Sequence, residues 1–381
     1  MITGDFQNKK IPLLGLGCMR LPTLDGDYSK IDTRALSEMV DYAIGNGLKY
    51  FDCAWGYHRG NAEIAIGEAL KKYPRDSFYL ATKFPGYDLA NMDKVEEIFE
   101  EQLKKCQVEY FDFYLIHNVC EINIDAYLDP KNRIIEYLYE QKKNGRIRHL
   151  GFSAHGLIPT LKRFLAECGD KMEFCQLQLN WLDWSLQSAK TKLELMREYN
   201  LPVWVMEPLR GGKLLTPGDE YQSRLMNGGH YKSMTEWGFR FLLSVPEVSL
   251  ILSGMSNMEQ LKENIEIFKK EDPILPEEKK LLLDIANDMM SKTTLPCTAC
   301  RYCTSYCPKG IDIPNIIDLY NDYVFSGGSY NAARAVSGLD DDKKPSACIG
   351  CRSCEGVCPQ NIKISEMMTD FSERLSKNDR H

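Results

Sequence analysis

Three apolar runs in the first third of the chain each end in a polar side chain that can hold or move a proton. Tyr50-Phe51-Asp52 is followed five residues later by Tyr57, Phe78-Tyr79-Leu80-Ala81-Thr82 runs into Lys83, and Phe113-Tyr114-Leu115-Ile116 runs into His117. Such a set suits carbonyl reduction. Delivering hydride to a carbonyl puts negative charge on its oxygen, and a positioned proton donor must meet it. A free tyrosine, with a pKa of about 10, is a weak acid at neutral pH, and a neighbouring ammonium lowers that pKa by stabilising the phenolate. Lys83 is suited to that task, Asp52 would hold Lys83 charged and in place, and His117 could orient the carbonyl. Singly, each has a plainer reading as a helix cap, a packing ring or a structurally satisfied histidine. Together, in this order and at successive strand ends, they point to catalysis.

A second constellation lies at the far end. Cys297-x2-Cys300-x2-Cys303-x3-Cys307-Pro308 recurs as Cys348-x2-Cys351-x2-Cys354-x3-Cys358-Pro359. The doubled run resembles that of bacterial two-cluster ferredoxins, which implies two 4Fe-4S clusters with the fourth cysteine of each run ligating the other cluster. One cluster would then take Cys297, Cys300, Cys303 and Cys358, and the other Cys348, Cys351, Cys354 and Cys307. Zinc is the alternative, but it needs only four ligands, usually in two CxxC pairs. The spacer from Pro308 to Ala347 has helical stretches such as Ile313–Val324, which resembles the helical type of two-cluster domain.

The elements that must position the proton-moving set alternate. Strands are expected at Leu14–Leu21, Tyr50–Ala54, Phe78–Lys83, Phe111–His117, His149–Ser153, Phe174–Asn180, Pro202–Leu209 and Ser249–Met255. Helices are expected at Thr33–Ile44, Ala62–Lys72, Asp93–Cys106, Pro130–Gly145, Ile158–Cys168, Leu186–Tyr199, Thr235–Leu243 and Met258–Phe268. Residues 1–14 read as a hairpin or loop, and Arg210 to His230 as a long glycine-containing loop. Strictly alternating units imply a parallel sheet, and eight of them suggest a closed (β/α)8 TIM barrel with its site at the carboxyl ends of the strands. The rival is an open doubly wound sheet. Gly15-Leu16-Gly17 starts a dinucleotide fingerprint, but Arg20 stands where the third glycine belongs, which counts against that rival. Pro273 and Pro276 mark a boundary, giving a barrel over 1–275, a linker helix within 276–295 and a small, mainly helical cluster module over 296–381.

The order Asp52, Tyr57, Lys83, His117, with Gly151-Phe152-Ser153 and Ser253-Gly254-Met255-Ser256, resembles the aldo-keto reductase family over about residues 11 to 268. The resemblance implies a nicotinamide cofactor, NADP or NAD, with its carboxamide held by Ser153 and Gln176. It places the pyrophosphate near Leu209, Gly211 and Gly212, and the adenosine phosphate near Gly254, Ser256, Gln260 and Asn264. Three departures stand out. Ala154 and His155 follow Ser153 where the family has Asn. Met206 stands where a tyrosine often stacks on the nicotinamide, and Gln260 where an arginine often pairs with the 2′-phosphate. A neutral site forgoes the charge-assisted bonds that favour phosphate, so NADH and a flavin stay open as alternatives. His58 either shapes the pocket or caps the next helix.

Bulk properties fit this reading. The chain has 381 residues and a formal charge of −7, with a pI of about 5.6; neither nucleic acid nor an anionic membrane is favoured as partner. No apolar run reaches the ~18 residues of a spanning helix, and residues 1–14 do not resemble a secretory signal, so the cytoplasm is expected. Of 14 cysteines, the six from Cys18 to Cys175 are scattered singly and read as packing, with Cys53 next to Asp52. The expected partners are a small carbonyl or alcohol substrate and an external electron carrier such as a ferredoxin or flavoprotein. Two alternatives remain: a stand-alone reductase with structural or redox-sensing clusters, and an electron-transfer subunit with a non-catalytic barrel.

Overall fold

The computed structural model describes residues 1–7 and 9–378. Two short strands, β1 (Thr3–Phe6) and β2 (Lys9–Pro12), form an antiparallel hairpin. Eight parallel strands follow: β3 (Leu14–Gly17), β4 (Tyr50–Asp52), β5 (Tyr79–Phe84), β6 (Phe111–Val119), β7 (Ile147–Ala154), β8 (Phe174–Gln178), β9 (Val203–Met206) and β10 (Val248–Ser253). They pair in chain order, and β10 closes on β3. The barrel is therefore closed, as the alternation predicts, and the open doubly wound sheet is excluded.

Strand alternation divides the apolar residues between two layers. Tyr50, Ala81, Phe113, Leu115, Phe174, Trp204 and Leu250 fill the barrel interior, and the hairpin adds Phe6 and Ile11 to the same cluster. Phe6 meets Trp204 and Phe113 at ring-centroid distances of 4.9 and 5.6 Å. The amino-terminal hairpin thus plugs the bottom of the barrel and leaves the carboxyl ends of the strands to form the site. Residues of opposite phase, such as Leu16, Phe51, Leu80 and Tyr114, face the surrounding helices. The six scattered cysteines are all buried free thiols.

Several elements differ from expectation. The Arg210–His230 stretch contains a helix at Asp219–Gly228. The expected helix over 186–199 is split into Asp183–Leu186 and Ala189–Glu198, with Ser188 at φ 52° between them. The helix expected from Pro130 starts at Ile134, because Arg133 adopts φ 52° and interrupts it. Each break is a single residue in the left-handed region, which hydrophobic periodicity does not register.

Helix Pro276–Ser291 leads to the cysteine-rich segment, where Ile313–Phe325, Tyr330–Ser337 and Ile364–Asn378 are helical. That segment has its own core, including Ile316, Ile317, Val336, Met368 and Phe371, against which Cys303 and Cys354 pack. It is fastened across the carboxyl end of the barrel. Arg210, in the loop after β9, places Nη2 2.5 Å from Asp322 Oδ1 and Nε 3.2 Å from Asp183 Oδ1. Lys213 Nζ donates to the Ser326 carbonyl at 3.0 Å. All three charged partners of the Arg210 link are buried, a geometry in which removing one partner strands the others.

Candidate active site

Asp52 ends β4, Lys83 lies one residue before the end of β5, and His117 lies in β6. Tyr57 comes from the tight turn Tyr57–Gly60 after β4. These are neighbouring strands in the barrel, so a parallel register brings the four together at one rim. Lys83 is fully buried. Its ammonium donates to Asp52 Oδ1 at 2.5 Å, to the Cys53 carbonyl at 2.6 Å and to Tyr57 Oη at 3.4 Å, which occupies all its donors. Gln176 Nε2 donates to the other Asp52 oxygen at 3.2 Å. Behind β5, Gln102 Nε2 donates to the Lys83 carbonyl at 3.0 Å and to Glu63 Oε1 at 2.8 Å, and Thr82 Oγ1 donates to Glu63 Oε1 at 2.6 Å. This second layer fixes the strand that carries Lys83. Cys53 contributes its carbonyl, while its buried thiol packs in the core.

Burial works against the Lys83 ammonium, yet Asp52 and Tyr57 together hold its pKa above the ordinary lysine value. Burial pushes the Asp52 carboxyl upward, opposed by Lys83 and Gln176. The Tyr57 phenol departs from expectation. Burial lifts its pKa to about 12, more than Lys83 draws it down. A sequence shows that a lysine can reach a tyrosine; it does not show how much water the site excludes. His117 is driven well below the usual imidazole value by burial, then by Lys83, His155 and Arg334. Its ring is edge-on to Tyr57 and Tyr87, at centroid distances of 6.3 and 5.3 Å. Its Nδ1 is buried without a hydrogen-bond partner among the described residues.

Replacing Lys83 by methionine strands Asp52 in the core. The expected cost is about 3–5 kcal/mol, and replacing Asp52 by asparagine as well should return part of it. Urea midpoints followed by tryptophan fluorescence check this; a double variant no more stable than Lys83→Met would rule out the pair as the cause.

The four residues sit at one end of a cavity of about 570 Å³, within the usual size range of small-molecule sites. Asp52, Tyr57, His117 and Gln176 line it, as do Met206, Leu209 and Gly211 on one side and Gly254, Ser256, Gln260 and Asn264 on another. Lys83 lies behind this lining. So does Ser153, whose buried Oγ accepts the Asn118 N–H at 2.7 Å. Gly211 and Gly212 have φ of 65° and 92°, conformations that glycine adopts without strain. A Cβ at Gly211 would lie 2.9 Å from Arg20 Nη2, and one at Gly254 would lie 2.9 Å from Arg20 Cδ. Arg20 therefore occupies its place because both positions lack side chains. In the sequence it registers only as the residue that breaks the glycine pattern; the structure makes it the cation of this wall. Helix Met258–Lys269 starts here, capped by Asn257, whose Oδ1 accepts the Gln260 N–H at 2.9 Å, and the Ser256 N–H donates to Gln260 Oε1 at 2.8 Å. Asn264 Nδ2 donates to Ser253 Oγ at 3.0 Å. A helix amino terminus, a glycine-lined approach and one arginine fit the phosphates of a dinucleotide.

His58 is neither a pocket residue nor a cap. It is buried at φ 52°, stacks on Tyr28 at 4.3 Å, accepts the Leu21 N–H on Nε2 at 3.1 Å and bonds the Tyr28 carbonyl through Nδ1 at 2.7 Å. It pins the loop after β3 to the turn that carries Tyr57. The sequence also gives no signal for the outer wall, where Tyr330, Asn331 and Arg334 of the cysteine-rich segment line the same cavity.

In that segment two further cavities are each bordered by four cysteines. Cys297, Cys300, Cys303 and Cys358 surround one, and Cys307, Cys348, Cys351 and Cys354 the other. The fourth cysteine of each run has crossed over, the grouping that a bacterial two-cluster run requires. Among the described residues no three His, Cys, Asp or Glu side chains converge tightly enough for a single metal ion. Thiols spread around a void suit a multi-iron cluster better than a lone zinc.

Comparison with known proteins settles the family. The model of the aldo/keto reductase family matches residues 13–280. The chain belongs to that family. Residues 296–362 match the 4Fe-4S dicluster domain, so this is an oxidoreductase with an iron–sulfur domain attached. An uncharacterised oxidoreductase, YqkF of Bacillus subtilis, is 27% identical over 285 residues, covering 66% of this chain and 86% of its own. The NADH-specific methylglyoxal reductase of Escherichia coli is 24% identical over 312 residues, covering 68% and 92%. Among solved structures, the aldo-keto reductase AKR11C1 of Bacillus halodurans in its holo form superposes with a TM-score of 0.60 at 24% identity, over 75% of this chain and 96% of that one. A reductase of Klebsiella pneumoniae in complex with NADP and acetate gives 0.60 at 19%, over 74% and 95%. These likenesses establish the barrel, and the reductase carries its cluster domain in addition to it.

Proposed function

We propose that the reductase interconverts a carbonyl and an alcohol at the barrel mouth, with Tyr57 donating the proton in the reducing direction. The observation that carries this reading is the fully buried Lys83 ammonium, bonded at once to Asp52 and to the Tyr57 hydroxyl. A bound NADP or NAD supplies the hydride. Ser153 and Gln176 are assigned to its carboxamide end, Met206, Leu209 and Gly211 to its middle, and Gly254, Ser256, Gln260 and Asn264, with Arg20, to its phosphate end. Neutral His117 directs the carbonyl oxygen toward Tyr57, and the hydroxyl proton moves to that oxygen as its charge grows. Lys83 then stabilises the phenolate left behind.

The pH dependence follows from these directions. Tyr57 must be protonated to donate, and its pKa lies near 12, so reduction should stay high through neutral pH and decline only in the alkaline range. His117 remains neutral, so no histidine inflection is expected between about pH 6 and 8. Profiles of kcat/KM check this; a sigmoidal step near pH 6.5 that is abolished by His117→Gln would contradict it.

The cysteine module is proposed to hold two 4Fe-4S clusters, on Cys297, Cys300, Cys303 and Cys358 and on Cys348, Cys351, Cys354 and Cys307. Such clusters supply one-electron carriers, so exchange with a hydride donor calls for a flavin or similar mediator and an external carrier. Thiol-ligated, oxygen-sensitive clusters favour the reducing cytoplasm. A second reading, in which the clusters only hold the module in shape, draws support from the buried Asp183–Arg210–Asp322 link and from the wall that the module lends to the cavity. The test of the whole is anaerobic purification. About eight iron and eight sulfide per chain are expected from two cubanes, together with nicotinamide-dependent reduction of simple aldehydes. Loaded protein that binds nicotinamide yet turns over no carbonyl or alcohol would refute the catalytic reading.

A further inference from the structure

The mouth of the site is completed by a residue of the cluster domain. Arg334, half-buried on helix Tyr330–Ser337, lines the cavity that Tyr57 and His117 share. Its Nη1 donates to the Tyr330 hydroxyl at 3.0 Å and its Nη2 to the Tyr87 carbonyl. Tyr87 in turn packs its ring edge-on against His117. The guanidinium is thereby fixed beside the catalytic histidine by two neutral partners.

Among the described residues Arg334 enters no ion pair. Glu121, whose Cβ lies against Gly338 just past the same helix, spends Oε1 on the Leu157 N–H and the Thr160 hydroxyl, each at 2.7 Å, and its buried Oε2 has no hydrogen-bond partner among the described residues, Arg334 included. Of the acids that line the cavity, Asp52 is paired with Lys83, and Glu207 and Glu263 belong to the loop after β9 and to helix Met258–Lys269, on the walls assigned to the cofactor. Those walls already have Arg20 and a helix amino terminus for phosphate. Arg334 is thus an unpaired cation on the substrate side, with most of its N–H donors unspent. A partly desolvated guanidinium without a counter-charge is unfavourable until an anion arrives, and its planar fork matches a carboxylate.

We propose that Arg334 determines substrate specificity by binding a carboxylate on the carbonyl compound, so that the substrates are oxo-carboxylates and the corresponding hydroxy-carboxylates. This rests on the carbonyl–alcohol reading above and adds a substrate class to it. The recognising charge is supplied by the cluster domain, so the barrel alone lacks it.

The test uses cluster-loaded wild type, Arg334→Gln and Arg334→Lys. Two matched pairs are compared: 4-carboxybenzaldehyde with methyl 4-formylbenzoate, and pyruvate with methyl pyruvate. Wild type should favour the carboxylate member of at least one pair by about 10-fold or more in kcat/KM, the worth of a hydrogen bond to a charged group. The ratio should fall to about one in Arg334→Gln, recover in part in Arg334→Lys, and shrink as salt is raised. A wild-type ratio near one for both pairs, or an equal loss for both members in Arg334→Gln, overturns the proposal and leaves Arg334 as a latch between domains. Titration with unreactive benzoate and benzamide separates this from the catalytic reading. If no carbonyl compound reacts, the catalytic reading fails. Benzoate binding weakened about 10-fold in Arg334→Gln, with benzamide binding not weakened, would still uphold the carboxylate site, and equal weakening of both, or of neither, would refute it.

Discussion

Tyr57→Phe should lower kcat/KM for carbonyl reduction by about 10²- to 10⁴-fold, the contribution typical of a positioned general acid. The substitution removes one oxygen. The ring that packs against His117 remains, and the Lys83–Asp52 pair keeps its own 2.5 Å contact. Nicotinamide affinity, followed by fluorescence titration, should therefore change little while turnover collapses. The reverse reaction should fall in parallel, because the phenolate that accepts the alcohol proton is lost with the hydroxyl. A fall of less than about 10-fold in both directions would transfer the proton to another group. His117 would be the first candidate, since it lines the same cavity.

The second large effect concerns how the cysteines are shared. The two four-cysteine cavities draw three residues from one run and one from the other. The double variant Cys300→Ala, Cys358→Ala should therefore disable one cluster and leave about four iron per chain. Cys300→Ala, Cys307→Ala should disable both and leave almost none, although its two changes lie in a single run. Iron and sulfide analysis with low-temperature EPR of the reduced protein reads the difference. If each run held its own cluster, the two variants would exchange results.

Much of this was legible in the sequence. The eight-fold alternation specified the closed barrel, because strands and helices impose different hydrophobic periods. Asp52, Lys83 and His117 could be read as one group because parallel strands place their carboxyl ends at one rim. The cysteine spacing announced the crossed grouping. What escaped depended on packing between distant segments. Arg20 sits between two glycines that lie far from it in sequence. Arg334 reaches the cavity only because the segment after Pro308 folds back over the barrel, held by the Arg210–Asp322 contact. His58 spans from its turn to Leu21 and Tyr28, contacts no local pattern reveals. The rise of the Tyr57 pKa had the same origin: burial is a property of the assembled site and outweighs the lysine that the sequence did reveal.

The proposal that barrel and clusters form one electron path is tested most directly by spectroscopy. Reduced nicotinamide, NADPH and NADH in turn, is added without air to the cluster-loaded protein, and the visible absorption of the clusters is followed. Bleaching is the expected result: a flavin or similar mediator bound with the loaded protein takes the hydride, passes its two electrons singly to the clusters and releases one proton. Carbonyl reduction that proceeds on the nicotinamide while the clusters stay oxidised would contradict it and leave them a structural or sensing role.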